Sequence, residues 1–203
     1  MTRVVAVRHG ETDWNRTGRM QGWAPVELNA TGREQATAAG EWLAAEYDVD
    51  RVVTSDLPRA RETADHVTAA VDAPMTETPA WRERDLGVYQ GLPHDEVAAR
   101  FPEFGLDETA YRAADRTPES GESLREMADR VTAAFDGLEG DGTVLVVAHG
   151  GPLCALLGHV RGMSLPAALS AHHLDNCGVS EFDAGGDGET RVVSENVTAW
   201  RDG

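Results

Sequence analysis

Two short runs constrain the fold of this chain more than anything else in it. Val4-Val5-Ala6-Val7 leads into Arg8-His9-Gly10-Glu11-Thr12, and Val144-Leu145-Val146-Val147-Ala148 leads into His149-Gly150-Gly151. Unbroken apolar runs of this length, rich in Val, read as strands buried on both faces, as in a parallel sheet covered by helices. Each run then delivers an imidazole to the carboxyl end of a strand. Ligands of open α/β sheets bind outside those ends, near the point where strand order reverses, so the two histidines can meet across one crevice. A single His at a strand end is commonly a hydrogen-bonded structural residue. A matched pair, the first joined to Arg and both followed by Gly, points instead to a shared anion site.

The rest of the chain alternates strand and helix patterns without internal repeat or low-complexity linker, which predicts βαβ units around a mostly parallel sheet. Strands are predicted at Val4–Val7, Arg51–Thr54, Thr143–Ala148, Val179–Phe182 and Arg191–Glu195. The last two are joined across Ala184-Gly185-Gly186-Asp187-Gly188, a hairpin signal that adds an antiparallel edge strand. Thr31 with Glu34 reads as a capping box opening a helix that carries Ala36, Ala39, Leu43 and Tyr47. A second helix spans Pro58–Val71, with Pro58 suited to its first turn. Ser123 with Glu126 caps a third, which carries Leu124, Met127, Val131, Phe135 and Leu138, and a fourth begins near Gly151-Pro152. Their apolar stripes are core. The expected architecture is a three-layer α/β/α sandwich around a doubly wound sheet. It forms a single domain over residues 1–203, with a flap at about 91–122 built from short helices at Glu96–Phe101 and Asp107–Ala114.

Composition removes several function classes. A net charge of −17 opposes binding to nucleic acid or anionic membranes, whose partners carry basic patches. No run approaches the roughly 20 apolar residues of a membrane span. The first strand begins almost at once, leaving no space for an export signal, so the expected location is cytoplasmic. All 18 basic residues are Arg. With the excess of acid, that reads as adaptation to molar salt, where a Debye length of about 3 Å screens a dense acidic surface. GC-rich coding would explain the absent Lys but not the acid. Cys154 and Cys177 lack metal or disulfide spacing and are expected to be reduced thiols without a catalytic role. His149 and His159 are ten apart, and His172-His173, read as a solvated loop, has no carboxylate at ligand spacing, so no metal is expected. The chain has neither the Lys of a nucleotide P-loop nor a G-x-S-x-G elbow.

If both histidines face one phosphoryl group, the protein must supply a nucleophile, a cationic cradle and a proton donor around an in-line transfer. A neutral imidazole attacks phosphorus at pH 7 because its ordinary pKa of about 6.5 leaves the free base populated. His9 takes that role, its other ring nitrogen held by a backbone carbonyl. Arg8 and Arg59 bring planar donor forks suited to phosphate oxygens, and His149 adds a further donor. One carboxyl of raised pKa can protonate the leaving alkoxide and then deprotonate water. Spacing leaves Glu83, Asp85 and Glu96 all open for that task. Trp23, Trp81 and Tyr89 either pack around the site or belong to the ordinary core.

These residues resemble the histidine phosphatase superfamily, also called phosphoglycerate mutase-like. The resemblance is carried by Arg8-His9-Gly10-Glu11-Thr12 with Trp14-Asn15, Arg19-Met20-Gln21-Gly22-Trp23, and Gly32-Arg33-Glu34-Gln35-Ala36. It continues through Thr54–Ala64, Glu83-Arg84-Asp85-Leu86-Gly87 with Gln90-Gly91, Ser120-Gly121-Glu122-Ser123, and Val147–Gly151. It runs from about residue 3 to 160, with the motifs in family order. It implies a phosphohistidine on His9, phosphate contacts from Arg8, Arg59, His149 and Asn15, and proton transfer by Glu83, with no metal and no cofactor. It also implies that Gln21, Gly22 and Gly150 help bind the substrate. Ala24-Pro25-Val26-Glu27-Leu28-Asn29 departs from the family pattern in a loop that borders the substrate in relatives.

The same phosphohistidine serves phosphatases and mutases. Cofactor-dependent mutases carry a longer insert after the proton donor, with a Lys and an Arg pair. This chain offers only isolated Arg100, Arg112 and Arg116 there. The expected activity is therefore a phosphomonoesterase acting on a small phosphate monoester, as a monomer or as a homodimer through an edge strand. Phosphoglycerate mutase is the alternative. A phospho-ligand binding module of low turnover is the alternative of another class, disfavoured because His9 and Glu83 are both present.

Overall fold

A computed structural model describes residues 2–102, 114–138, 140–184 and 189–202. The described strands are β1 (Thr2–Arg8), β2 (Arg51–Ser55), β3 (Met75–Thr78), β4 (Gly142–Ala148), β5 (Val179–Ala184) and β6 (Thr190–Val197). They form one sheet in the order β3-β2-β4-β1-β5-β6. β1 pairs parallel with β4, and β2 parallel with both β4 and β3. β5 runs antiparallel to β1 and to β6, so it alone opposes the other five and lies one position in from the edge. The chain leaves β1 toward β2 on one side and leaves β4 toward β5 on the other. The β1/β4 boundary is thus the switch point where a crevice opens.

Alternation along the strands builds two cores. Val4, Ala6, Val144 and Val146 face α5 (Leu124–Asp136) and α6 (Gly150–Val160) through Met127, Val131, Leu153, Leu156 and Leu157. Val5, Val7, Leu145 and Val147 face α2 (Ala30–Glu46) and α3 (Pro58–Val71) through Leu43, Ala60, Ala64 and Val67. Each fully buried Val or Leu contributes about 1.5–3 kcal/mol, so the central strands are fixed by burial on both faces. The shorter helices are α1 (Asp13–Arg16), α4 (His94–Arg100) and α7 (Leu165–Ala171).

Several local expectations change. The cap of α2 is Asn29, whose side chain accepts the Gly32 N–H at 2.8 Å, so Thr31 lies inside the helix and the Thr31/Glu34 capping box does not form. The Ser123/Glu126 box does form. β3 and α7 carry too few buried residues to announce themselves in the sequence. His172 is buried rather than solvated: its Nδ1 lies 2.7 Å from a Glu195 carboxylate oxygen, and only His173 is exposed. Trp81 belongs to the core, while Tyr89 packs with Leu86 and Val97 in a smaller cluster. The predicted flap helix at Asp107–Ala114 and the Gly-rich hairpin loop fall largely outside the described residues. Both cysteines are free and buried, and burial pushes both thiols up to about 12.

Candidate active site

The β1/β4 ladder sets the level at which the two histidines leave the sheet. Arg8 sits opposite Ala148, and the His9 N–H donates to the Ala148 carbonyl at 3.0 Å. The two imidazole centroids are therefore 5.2 Å apart. The Nδ1 atom of His9 lies 2.7 Å from the Gly10 carbonyl oxygen. A carbonyl only accepts, so Nδ1 carries the proton and the lone pair resides on Nε2. That lone pair faces Arg59, whose Nε donates to it at 3.3 Å. Gly10 permits this placement because a Cβ there would stand 2.4 Å from the Gly32 carbonyl of α2.

Arg59, at the start of α3, lies under the loop after α1 and donates to the Gly22 carbonyl at 2.8 Å and the Ala24 carbonyl at 3.3 Å. His149 is the N-cap residue of α6, its Nε2 2.8 Å from the Ser55 hydroxyl at the end of β2. Arg8 donates to the Leu174 carbonyl. Asn176, from the same loop, donates to the His9 carbonyl at 3.0 Å. Three parallel strands and one distant loop thus converge on the same few atoms.

Burial first, then the nearby charges of Arg59 and Arg8, hold His9 well below the ordinary imidazole pKa. His149 is depressed by burial, Arg59 and His9. Both rings are therefore neutral at pH 7. Burial lowers Arg59 to about 10 and lowers Arg8 as well, leaving both charged at neutral pH. Among the described residues neither guanidinium forms an ion pair, and the carboxylate each feels most is Glu83. Two further buried atoms here, Arg8 Nε and His149 Nδ1, have no hydrogen-bond partner among the described residues. Buried charges and donors are normally compensated, so this cluster is shaped for an anion.

Glu83 stands between the 3-10 turns Pro79–Trp81 and Gly87–Tyr89. Its Oε1 accepts the Arg84 N–H at 2.9 Å and its Oε2 the Gly151 N–H at 3.2 Å, which docks the carboxylate on the first turn of α6. A Cβ at Gly151 would lie 2.3 Å from Glu83 Oε1. The other two carboxylates left open by spacing are elsewhere. Asp85 accepts the Gly87 N–H at 2.9 Å, and Glu96 pairs with Arg100 on α4.

A cavity of about 320 Å³ brings Arg8, His9, Asn15, Gln21, Gly22, Arg59, Glu83 and Gly150 onto one wall system. His149 does not line it; the ring is fully buried beside that of His9. Sequence reasoning missed Arg19, Met20, Arg84, Leu86, His94 and Leu124, which complete the lining. It also missed the supports Ser55, Gly151 and Asn176. Ser55 and Gly151 lie inside motifs already singled out, whereas nothing local marks Asn176. Trp23 touches the site's frame by donating its indole N–H to the Glu83 carbonyl at 2.6 Å. Among the described residues, no three His, Cys, Asp or Glu side chains gather as a metal site. No helix among them is long and apolar enough to cross a membrane.

Residues 4–198 match the profile of the Histidine phosphatase superfamily (branch 1). The chain is similar to Uncharacterized phosphatase PhoE of Bacillus subtilis, 36% identical over 165 residues, covering 80% of this chain and 79% of that one. It is also similar to Probable phosphoglycerate mutase GpmB of Citrobacter koseri, 35% identical over 187 residues, covering 90% and 85%. Among solved structures it superposes on a mycobacterial glucosyl-3-phosphoglycerate phosphatase in complex with VO3. The TM-score is 0.82 at 31% identity, covering 96% of this chain and 98% of that one.

Proposed function

The chain belongs to branch 1 of the histidine phosphatase superfamily, and from that footing we propose that it is a metal-independent phosphomonoesterase working through a phosphohistidine on His9. The observation that carries this reading is the neutral His9 Nε2 set against the buried Arg59 and the half-buried Arg8, neither in an ion pair among the described residues, on one cavity wall with Glu83. Arg8, Arg59 and Asn15 take the phosphate oxygens, and His149 adds a donor from beside His9. Their charge compensates the oxygens as phosphorus moves from the ester oxygen to Nε2. Glu83 gives its proton to the departing alcohol. It then takes a proton from the water that attacks phosphohistidine, releasing inorganic phosphate and restoring the free imidazole and the protonated carboxyl.

Gln21, Gly22 and Gly150 border the phosphate end, and Met20, Leu86 and Leu124 offer an apolar wall for the alcohol part of a small metabolite. Water as acceptor, rather than a retained phosphoglycerate, is supported by the described arginines of the insert after Glu83, which stay off the cavity wall; the further guanidiniums on that wall, Arg19 and Arg84, donate to backbone carbonyls. Arg100 pairs with Glu96 and stacks on Phe101, neither Arg100 nor Arg116 lines the cavity, and Arg112 lies outside the described residues. The phosphatase relatives support the same reading, while the mutase relative keeps transfer to a second hydroxyl as the competing one. The acidic surface supports a cytoplasmic enzyme of a high-salt cell that avoids nucleic acid and membranes, as a monomer or a homodimer. Its melting temperature is then expected to rise from about 0.1 M to molar KCl as surface repulsion is screened.

Phosphorus NMR of the protein in molar KCl with chelator and a mixture of phosphate monoesters, 3-phosphoglycerate among them, tests the proposal. Growth of inorganic phosphate is the expected result. Appearance of 2-phosphoglycerate without free phosphate would make the protein a mutase. Phosphate-ester binding without turnover would make it a binding module.

A further inference from the structure

The Ser120-Gly121-Glu122-Ser123 motif has no part in the chemistry above. Ser123 caps α5, but the Glu122 side chain is engaged with Arg130, two turns into that helix. Arg130 Nε donates to one Glu122 oxygen at 3.0 Å and Nη2 to the other at 2.8 Å, a bidentate pair with both side chains largely buried. The same guanidinium reaches the chain that carries Glu83. Its Nη1 donates to the carbonyls of Ala80 at 2.9 Å, Arg82 at 3.1 Å and Pro79 at 3.3 Å, and its Nη2 to that of Glu83 at 3.3 Å. Glu122 ties down the far side. Its N–H donates to the Asp85 carbonyl at 2.9 Å, and its carbonyl accepts Arg84 Nε at 2.8 Å.

Residues 82–86 belong to neither helix nor strand. No ladder sets the height of Glu83, so its backbone is ordered by hydrogen bonds from Arg130 of α5, from Glu122 just before the α5 cap, and from the Trp23 indole. We propose that Arg130 and Glu122 are positioning residues whose task is to hold the Glu83 carboxyl at proton-transfer distance from the ester oxygen. This rests on the reading of Glu83 as the proton donor. Only a planar fork can serve both the carboxylate and several carbonyls at once; the point charge of Lys cannot. General acids act over a narrow heavy-atom range, and a misplacement of about 1 Å costs up to about 100-fold.

The test compares kcat/KM for an alkyl phosphate, whose leaving group needs the proton, with that for p-nitrophenyl phosphate, whose leaving group does not. It covers Arg130→Lys, Glu122→Gln, Glu83→Gln and the double variant Glu83→Gln/Arg130→Lys, with melting curves for each. Arg130→Lys is expected to lower kcat/KM for the alkyl ester about 10-fold or more and for the aryl ester about twofold or less. In the Glu83→Gln background the same change is expected to cost nothing further, because the group it positions is gone. Equal losses on both esters, no loss on either, or additive losses would overturn the proposal. Should Arg130→Lys fail to fold, Glu122→Gln carries the same expectation at smaller amplitude, and equal or absent losses there overturn it too. Indifference of Glu83→Gln itself to the leaving group would remove the reading of Glu83. A discriminating Glu83→Gln beside an indifferent Arg130→Lys would remove only the positioning role.

Discussion

His9 and His149 leave the ends of β1 and β4, neighbours in the middle of the sheet, whereas Glu83 sits on irregular chain between two 3-10 turns. The imidazoles inherit their separation from backbone ladder bonds and from Val and Leu buried on both faces, which makes them hard to displace. The carboxylate depends on Arg130, Glu122, Trp23 and the Gly151 N–H, contributed by elements far apart in sequence. One enzyme site thus contains a rigid half built by secondary structure and a half built by side-chain clamps. Damage to the first should slow every ester alike, and damage to the second should depend on the leaving group.

The largest effect tests the rigid half. His9→Asn keeps a polar side chain but removes the proposed nucleophile, and turnover of alkyl and aryl phosphates is expected to fall together by about 10⁴-fold or more. Initial rates with both esters check it, and surviving activity with either would break the assignment. Gly151→Ala addresses the other half. The added Cβ meets the flexible end of Glu83, so the carboxyl rather than the fold should give way. The expected outcome is a loss in kcat/KM of about 10-fold on the alkyl ester, little loss on the aryl ester and an almost unchanged melting temperature. Equal losses would mean that α6 itself had moved.

A smaller effect comes from the imidazoles' depressed pKa values. The unfolded chain binds protons below about pH 6.5 that the buried rings refuse, so stability is complete above that pH and declines as pH falls toward the folded values. The slope reaches about 1.4 kcal/mol per pH unit for each ring. Urea unfolding at pH 7.5 and pH 5.5 should show it, and His9→Asn should flatten it. An unchanged slope in that variant would assign the pH dependence to other groups. The smallest effect is expected from Ser55→Ala, which removes the partner of His149 Nε2 and should lower kcat/KM a few fold on both esters, since the ring stays packed. A loss confined to the alkyl ester would place His149 on the proton-transfer side instead.

Legibility in the sequence follows the same division. Arg8, His9, Arg59 and His149 stand at or just beyond strand ends, so their convergence followed from counting strands. Spacing left Glu83, Asp85 and Glu96 equivalent until the resemblance ranked them. The fold shows why: only Glu83 reaches the cavity, through a backbone shape that no periodicity encodes. His172 misled for a related reason. Its burial depends on Glu195, 23 positions later in the chain, on a strand whose pairing fixes the approach.

The sequence by itself determined the buried parallel strands, the helices that cover them, and the delivery of two imidazoles and two guanidiniums to one sheet edge. Burial pattern, capping and strand ends are properties of neighbouring residues, and they act before the chain closes. Only the tertiary structure decided which carboxylate shares the cavity with His9, and that Arg130 and Asn176 support the site from outside its motifs. Those outcomes depend on hydrogen bonds between residues tens to more than a hundred positions apart. Their geometry exists only once both cores have packed.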